Sequence, residues 1–153
     1  MQDGQVLWQG TASARWPIYM GAGFVVLAVI LALASGYWLF YFMAIAGPFI
    51  WALASIRVEL TSTALTVQYF GGLPWPVTRI RVADIRGAKV VELKHPKGWG
   101  YRGSLRIYGR AALILRAGPS LRLQFDRGRW FLVTVSNPEG AVQVLQQLGV
   151  APS

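Results

Sequence analysis

Lys94, His95, Lys97 and Arg102 bring four nitrogen bases into one short stretch, with Trp99 and Tyr101 set among Gly98, Gly100 and Gly103. Cations interleaved with amphipathic rings suit binding rather than bond making. Ammonium and guanidinium groups meet phosphate or carboxylate, and Trp, Tyr and Arg dominate contact hot spots. Three readings stand side by side. The stretch dips its rings into lipid headgroups, or grips a partner protein, or folds Trp99 and Tyr101 over the open end of a domain and leaves Arg102 in water. Arg79, Arg81 and Arg122 form a second candidate group. Each sits opposite the apolar side of an alternating segment, so together they predict a basic sheet face or a plain solvated one. A single-strand nucleic-acid surface needs aromatics interleaved on that face. Gln68, Thr78 and Gln124 stand there instead, and no nucleic-acid partner is expected.

Catalytic chemistry has little to build on. There is one His and no Cys, so thiolate metal sites and disulfides are excluded and triads are starved. Asp84, Glu92 and Asp126 are too scattered for a paired-carboxylate site. Neither GxxxxGK[ST] nor a strand–GxGxxG–helix arrangement exists. The expectation is a protein that is not an enzyme, with no catalytic residue, cofactor, metal or small-molecule substrate.

The elements that must position these residues follow from periodicity. From residue 57 onward apolar and polar residues alternate, as in Leu65-Thr-Val67-Gln-Tyr69 and Leu121-Arg-Leu123-Gln-Phe125, the mark of half-buried strands. Seven strands are predicted, near 57–61, 65–70, 77–82, 87–93, 111–116, 120–125 and 130–136. Turn chemistry at Gly71-Gly72-Leu73-Pro74, Gly118-Pro119-Ser120 and Asp126-Arg127-Gly128-Arg129 separates several of them. The 94–103 stretch lies in the one long connection, and ordered loops of that length are often functional. Asn137-Pro138-Glu139 predicts a helix start, Ala141, Val142, Val144, Leu145 and Leu148 its apolar face, and Gly149 its end. A seven-stranded, barrel-like sheet plugged by one helix is the expected domain over 57–153.

Ahead of it, Trp16 to Ile56 holds 41 consecutive residues without Asp, Glu, Lys, Arg or His. About 20 helical residues cross a bilayer core. The run predicts a membrane α-helical hairpin with spans near 17–35 and 37–56, turning at Ser35-Gly36. Tyr37, Trp38 and Tyr41 suit the interface there. A cleaved signal peptide ending near Ala32-Leu33-Ala34 is the rival, weakened by a barely basic start. Residues 1–15 are a short head, in which Val6 to Gly10 reads as a strand or an interfacial segment. The net charge is +9. Asp3 and Arg15 cancel, so all of the excess lies from Arg57 onward. Positive segments beside spans stay cytoplasmic, which places head and domain there.

Val58-Glu-Leu60-Thr61-Ser-Thr-Ala-Leu65-Thr-Val67, Ile80-Arg-Val82-Ala-Asp84-Ile85 and Phe131-Leu-Val133-Thr-Val135-Ser-Asn137-Pro138-Glu139 resemble a bacterial pleckstrin-homology-like (PH-like) domain, and Leu7-Trp8-Gln9-Gly10 is similar to the segment that precedes membrane spans in such proteins. The resemblance implies a binding or scaffolding module of the bacterial inner membrane, an accessory or assembly subunit whose partners are membrane lipids and other integral membrane subunits. An anionic-lipid sensor is the alternative. It does not carry over phosphoinositide binding, because the first hairpin loop, Ser62-Thr63-Ala64, has no Lys or Arg.

Overall fold

The computed structural model describes residues 5–36, 38, 42, 45–48, 50, 54–69, 76–94, 100–105, 107 and 109–152. Strand β2 (Ser55–Thr61) alternates cleanly: Ile56, Val58 and Leu60 are fully buried, and the residues between them are partly exposed. Its neighbours are β1 (Val6–Ser13) and β3 (Ala64–Tyr69), and β4 (Pro76–Arg81) completes an antiparallel four-stranded sheet in the order β1-β2-β3-β4. A 3-10 turn at Val82–Asp84 carries the chain into β5 (Gly87–Leu93) of a second sheet. β6 (Gly100–Ser104), β7 (Arg110–Ile114), β8 (Gly118–Gln124), β9 (Trp130–Thr134) and the two-residue β10 (Ala151–Pro152) fill it in the order β10-β5-β8-β9-β7-β6. β9 is inserted between β7 and β8, parallel to the first and antiparallel to the second.

The core lies between the sheets. Leu65, Val67, Leu113, Leu121, Leu123, Phe131 and Val133 meet Ile56, Val58 and Leu60 there, all fully buried. Helix α2 (Pro138–Gln147) adds Ala141 and Leu145. The Asn137 side chain accepts the Gly140 N–H at 3.1 Å, which satisfies one of the helix's orphan donors. At the other end Gly149 has φ +88°, a left-handed conformation cheap only for glycine, and Val150 N–H returns to the Leu145 carbonyl at 2.9 Å. α2 packs against β1, β5, β8 and β10 and so closes one side of the sandwich.

The seven expected strands are present, but the expected seven-stranded barrel is not. Two open sheets form instead, because among the described residues no ladder joins them: β1 and β4 end one, β10 and β6 end the other. β1 and β6 were missed as strands of the domain, the first placed in the head and the second inside the long connection. The expected boundary at 57 falls inside β2, and the head contributes β1 directly to the sheet.

Trp8 fixes that strand. Its indole lies over Gly10, where a Cβ would collide with the ring, and against Gly140 of α2, where a Cβ would stand 2.9 Å from Nε1. Glycine is required at position 10 by the ring, and at 140 by the ring together with the Asn137 side-chain amide, rather than by the backbone.

Helix α1 (Trp16–Ser35) follows β1 almost directly. Pro17 sits in its first turn, and Gly36 ends it with φ 71° and an N–H to the Ala32 carbonyl. Twenty residues give a rod of about 30 Å. Only 17% of its most apolar window is buried, and Val26, Ile30 and Leu33 are well exposed. Among the described residues one helix is therefore long and apolar enough to cross a membrane. The second expected span, 37–56, falls largely outside the described residues, and its end is displaced: Ala54 is in a turn and Ser55 already belongs to β2. Residues 45–48 are helical, and Gly47 is packed so tightly on α1 that a Cβ would meet Val25 and stand 2.8 Å from the Gly21 carbonyl oxygen.

Candidate partner-binding surfaces

The two ends of the sandwich differ in chemistry. At the root end, Ser13 pairs with Ser55, and Ala14 N–H donates to the Ala54 carbonyl at 2.8 Å. Leu93, Gly100, Ile114 and Gly118 are strand termini of the second sheet at this same end, and Ser136 N–H donates to the Thr11 carbonyl. At the far end, β4 finishes at Arg81 and β5 begins at Gly87.

Arginines crowd the far end. Arg81 grips Asp84 with two bonds, 2.9 and 3.3 Å, and Arg86 grips Asp126 with two more, 2.9 and 3.2 Å. The Arg86 guanidinium, bonded to the carboxylate, holds Asp126 below the usual carboxylate range, and Arg129 and Arg127 add to the effect. The same bond raises Arg86 in turn. The turn carrying Asp126 is tight: Arg127 has φ 62° and Gly128 φ 71°, and Arg129 Nε–H donates to the Asp126 carbonyl at 3.2 Å.

Arg79, Arg81, Asp84 and Arg129 rim a cleft of about 350 Å³ whose wall and floor come from Ile80, Leu105 and Phe125, and the Asp84 carboxylate on that rim is held by Arg81. Ile80 and Phe125 are core residues, so the floor is apolar, while the rim is net positive, three arginines against one carboxylate. The cleft lies on the side of the sandwich that α2 does not close, between the terminal strand β4 and Leu105, which follows the terminal strand β6. Ile107, 74% exposed, stands in the same β6–β7 connection. Sequence reasoning took Asp126-Arg127-Gly128-Arg129 only as a turn. The signal available was its charge, three ionic groups in four residues.

The structure separates the expected site residues. Arg79 and Arg81 lie on β4 of the first sheet, Arg122 on β8 of the second, so they do not share one basic face. The reason is the open pairing: β4 and β8 belong to different ladders. Arg122 instead sits 5.3 Å from the centre of the Trp130 ring, a cation–π contact on the outer surface of the second sheet, beside a small apolar cluster of Ala112, Ile114 and Leu132. Lys94 is exposed at the root end of β5. His95, Lys97 and Trp99 lie outside the described residues. Tyr101 and Arg102 are exposed residues of β6, adjacent in sequence and therefore on opposite faces. Tyr101 shares the inward parity of Leu113, its partner on β7. It lies close enough to Tyr69 to add to the rise that burial gives the Tyr69 hydroxyl.

Comparison with protein-family models, with characterised proteins and with solved structures finds no match.

Proposed function

We propose that the protein is a non-catalytic, two-span membrane protein whose β domain is a PH-like accessory, scaffold or assembly module for a larger membrane complex, with both termini in the cytoplasm of a bacterial cell. One observation carries this reading: the backbone bond between Ala14 and Ala54. It holds the two ends of the apolar stretch side by side on neighbouring strands. If α1 crosses a bilayer, the chain must come back, so the number of crossings is even. The seat of Gly47 against Gly21 and Val25 supports a second helix packed on the first, the small-residue contact that membrane helices use. The exposed apolar residues of α1 need lipid or neighbouring helices to cover them. The PH-like reading draws its support from the resemblance in sequence and from a domain of two sheets closed on one side by a C-terminal helix.

Protease shaving of oriented vesicles tests the topology. The domain is protected in right-side-out vesicles and digested in inside-out ones; digestion in right-side-out vesicles overturns the reading. Gentle solubilisation followed by native electrophoresis tests the accessory role, which predicts migration in a large assembly. A lone small species argues against it.

The root-end position of Lys94 favours a second reading, an anionic-lipid sensor. A cation beside the anchoring bilayer gains about 1 kcal/mol from an anionic leaflet. Indifference of root-end labelling to phosphatidylserine content removes this reading.

A further inference from the structure

The cleft at the far end faces away from the root of the apolar stretch. β2 runs six residue steps from Ser55 to Thr61, about 20 Å at strand rise, and Arg81 pairs with Ala64 just beyond that end. The screening length at physiological salt is about 8 Å. On the membrane reading above, the arginines at this end therefore lie outside the electrostatic reach of their own bilayer, and lipid headgroups do not account for them.

Arg79, Arg81, Arg86, Arg127 and Arg129 stand there against Asp84 and Asp126. The two carboxylates are already consumed by Arg81 and Arg86. Arg79 is exposed and has no partner among the described residues. The unneutralised charge is thus focused on the cleft. Its floor excludes two ligand classes. Phe125 is the single aromatic among the described lining residues and is largely buried, too little for the successive base stacking that single-strand binders use, which argues against nucleic acid. An apolar floor, with Ile107 exposed in the connection that also supplies Leu105, is wasted on a bare phosphate. It suits a chain that presents carboxylates and aliphatic side chains together. β4 is also the last strand of its sheet, and among the described residues nothing pairs with its outer edge. An extended peptide adds to such an edge by main-chain hydrogen bonds, with side chains alternating between rim and floor.

We infer that this cleft is a docking site for an acidic, extended segment of a partner protein, laid along the free edge of β4 with carboxylates on Arg79 and Arg129 and an aliphatic residue over Ile80 and Phe125. The partner is a soluble protein, or the cytoplasmic part of a membrane subunit, that reaches beyond the headgroup layer.

The test uses the full-length protein in phosphatidylcholine nanodiscs and a fluorescent peptide of alternating Glu and Leu, followed by anisotropy. The peptide binds, and a tenfold rise in ionic strength weakens it. Arg79→Glu together with Arg129→Glu lowers affinity about tenfold or more, as expected when cations facing an acidic ligand are reversed. Arg79→Glu alone lowers it in the same direction, which guards against damage to the turn around Arg129. A charge-matched pair at the root end, Arg15→Glu with Lys94→Glu, leaves affinity unchanged. Equal affinity in the cleft variants, equal loss in the root-end pair, or displacement by inorganic phosphate overturns the proposal. Competition from phosphatidylserine in the same disc also overturns it, since the cleft would then face the bilayer. Should the protein prove stable in water without lipid, the membrane reading fails, while the contrast between the two variant pairs still decides whether the cleft binds.

Discussion

Two glycines and one arginine show how single residues hold the site. Gly140 lies in α2, where alanine would ordinarily gain about 1 kcal/mol of helix propensity. Here the Trp8 indole and the Asn137 amide occupy the space a Cβ needs. Gly140→Ala is expected to destabilise by about 1–3 kcal/mol, the range for overpacking, and Gly10→Ala to act in the same direction. Thermal unfolding of the detergent-solubilised protein checks both, and a gain in either refutes the seat assigned to Trp8. Arg127 has the reverse problem: a side chain at φ 62°, where left-handed backbone costs about 1–2 kcal/mol without glycine. Arg127→Gly is expected to be neutral or stabilising and Arg127→Val clearly destabilising by the same measurement. Asp126 supplies a pH prediction. Its folded pKa is depressed, so its contribution is present above the unfolded value, about 3.9, and is lost as pH falls through the lower folded value. Carboxyl NMR should show Asp126 titrating below the unfolded value, and Arg86→Gln should return it toward that value. The group is fully exposed, so the change in overall stability is small.

At the scale of elements, local chemistry and long-range pairing divide the labour. The start of α2 is local: Asn137, Pro138 and Glu139 set cap, first position and dipole partner within three residues, and the helix begins where they place it. Asn137→Ala is expected to cost about 1 kcal/mol, measured by denaturant unfolding. Strand positions were legible for the same reason, since alternation in β2, β3 and β8 is a property of each segment alone. Strand neighbours were not. Gly118-Pro119 announces a reversal between β7 and β8, yet β9 lies between them, because burying Phe131 and Val133 places that strand centrally. β1 was half legible for a related reason: Val6 to Gly10 reads as a strand or an interfacial segment, but with only Gly10 and Ala12 buried along it the pattern is too faint to assign it to the domain until β2 supplies its partner. The far-end cleft was illegible altogether. It depends on Phe125 and Arg129 meeting β4 from a distant part of the chain, and on the gap between β4 and Leu105. Both are products of the assembled sandwich.

For the whole molecule, the pairing of β1 with β2 makes the domain discontinuous in sequence. A fragment spanning 57–153 lacks β1 and the first two residues of β2, and should fail to fold. A chain joining residues 5–14 to 54–152 through an Asn-Gly turn, the favoured two-residue link between antiparallel strands, should give a water-soluble β domain. Circular dichroism and size exclusion of the two products distinguish these outcomes. A folded 57–153 fragment would remove β1 from its assigned role.

The same clasp between Ala14 and Ala54 also dictates an order of events during synthesis. The first strand leaves the ribosome early and finds no partner there; the strand it needs is some forty residues behind. Ring closure over that distance is costly for a loose chain, but under the proposed two-span topology a greasy segment already threaded into lipid would bring its own ends together. On the membrane reading proposed above, insertion would come first and maturation of the sandwich second. A nascent chain stalled halfway through the bilayer would expose an orphan edge, a natural signal for quality-control proteases to act upon.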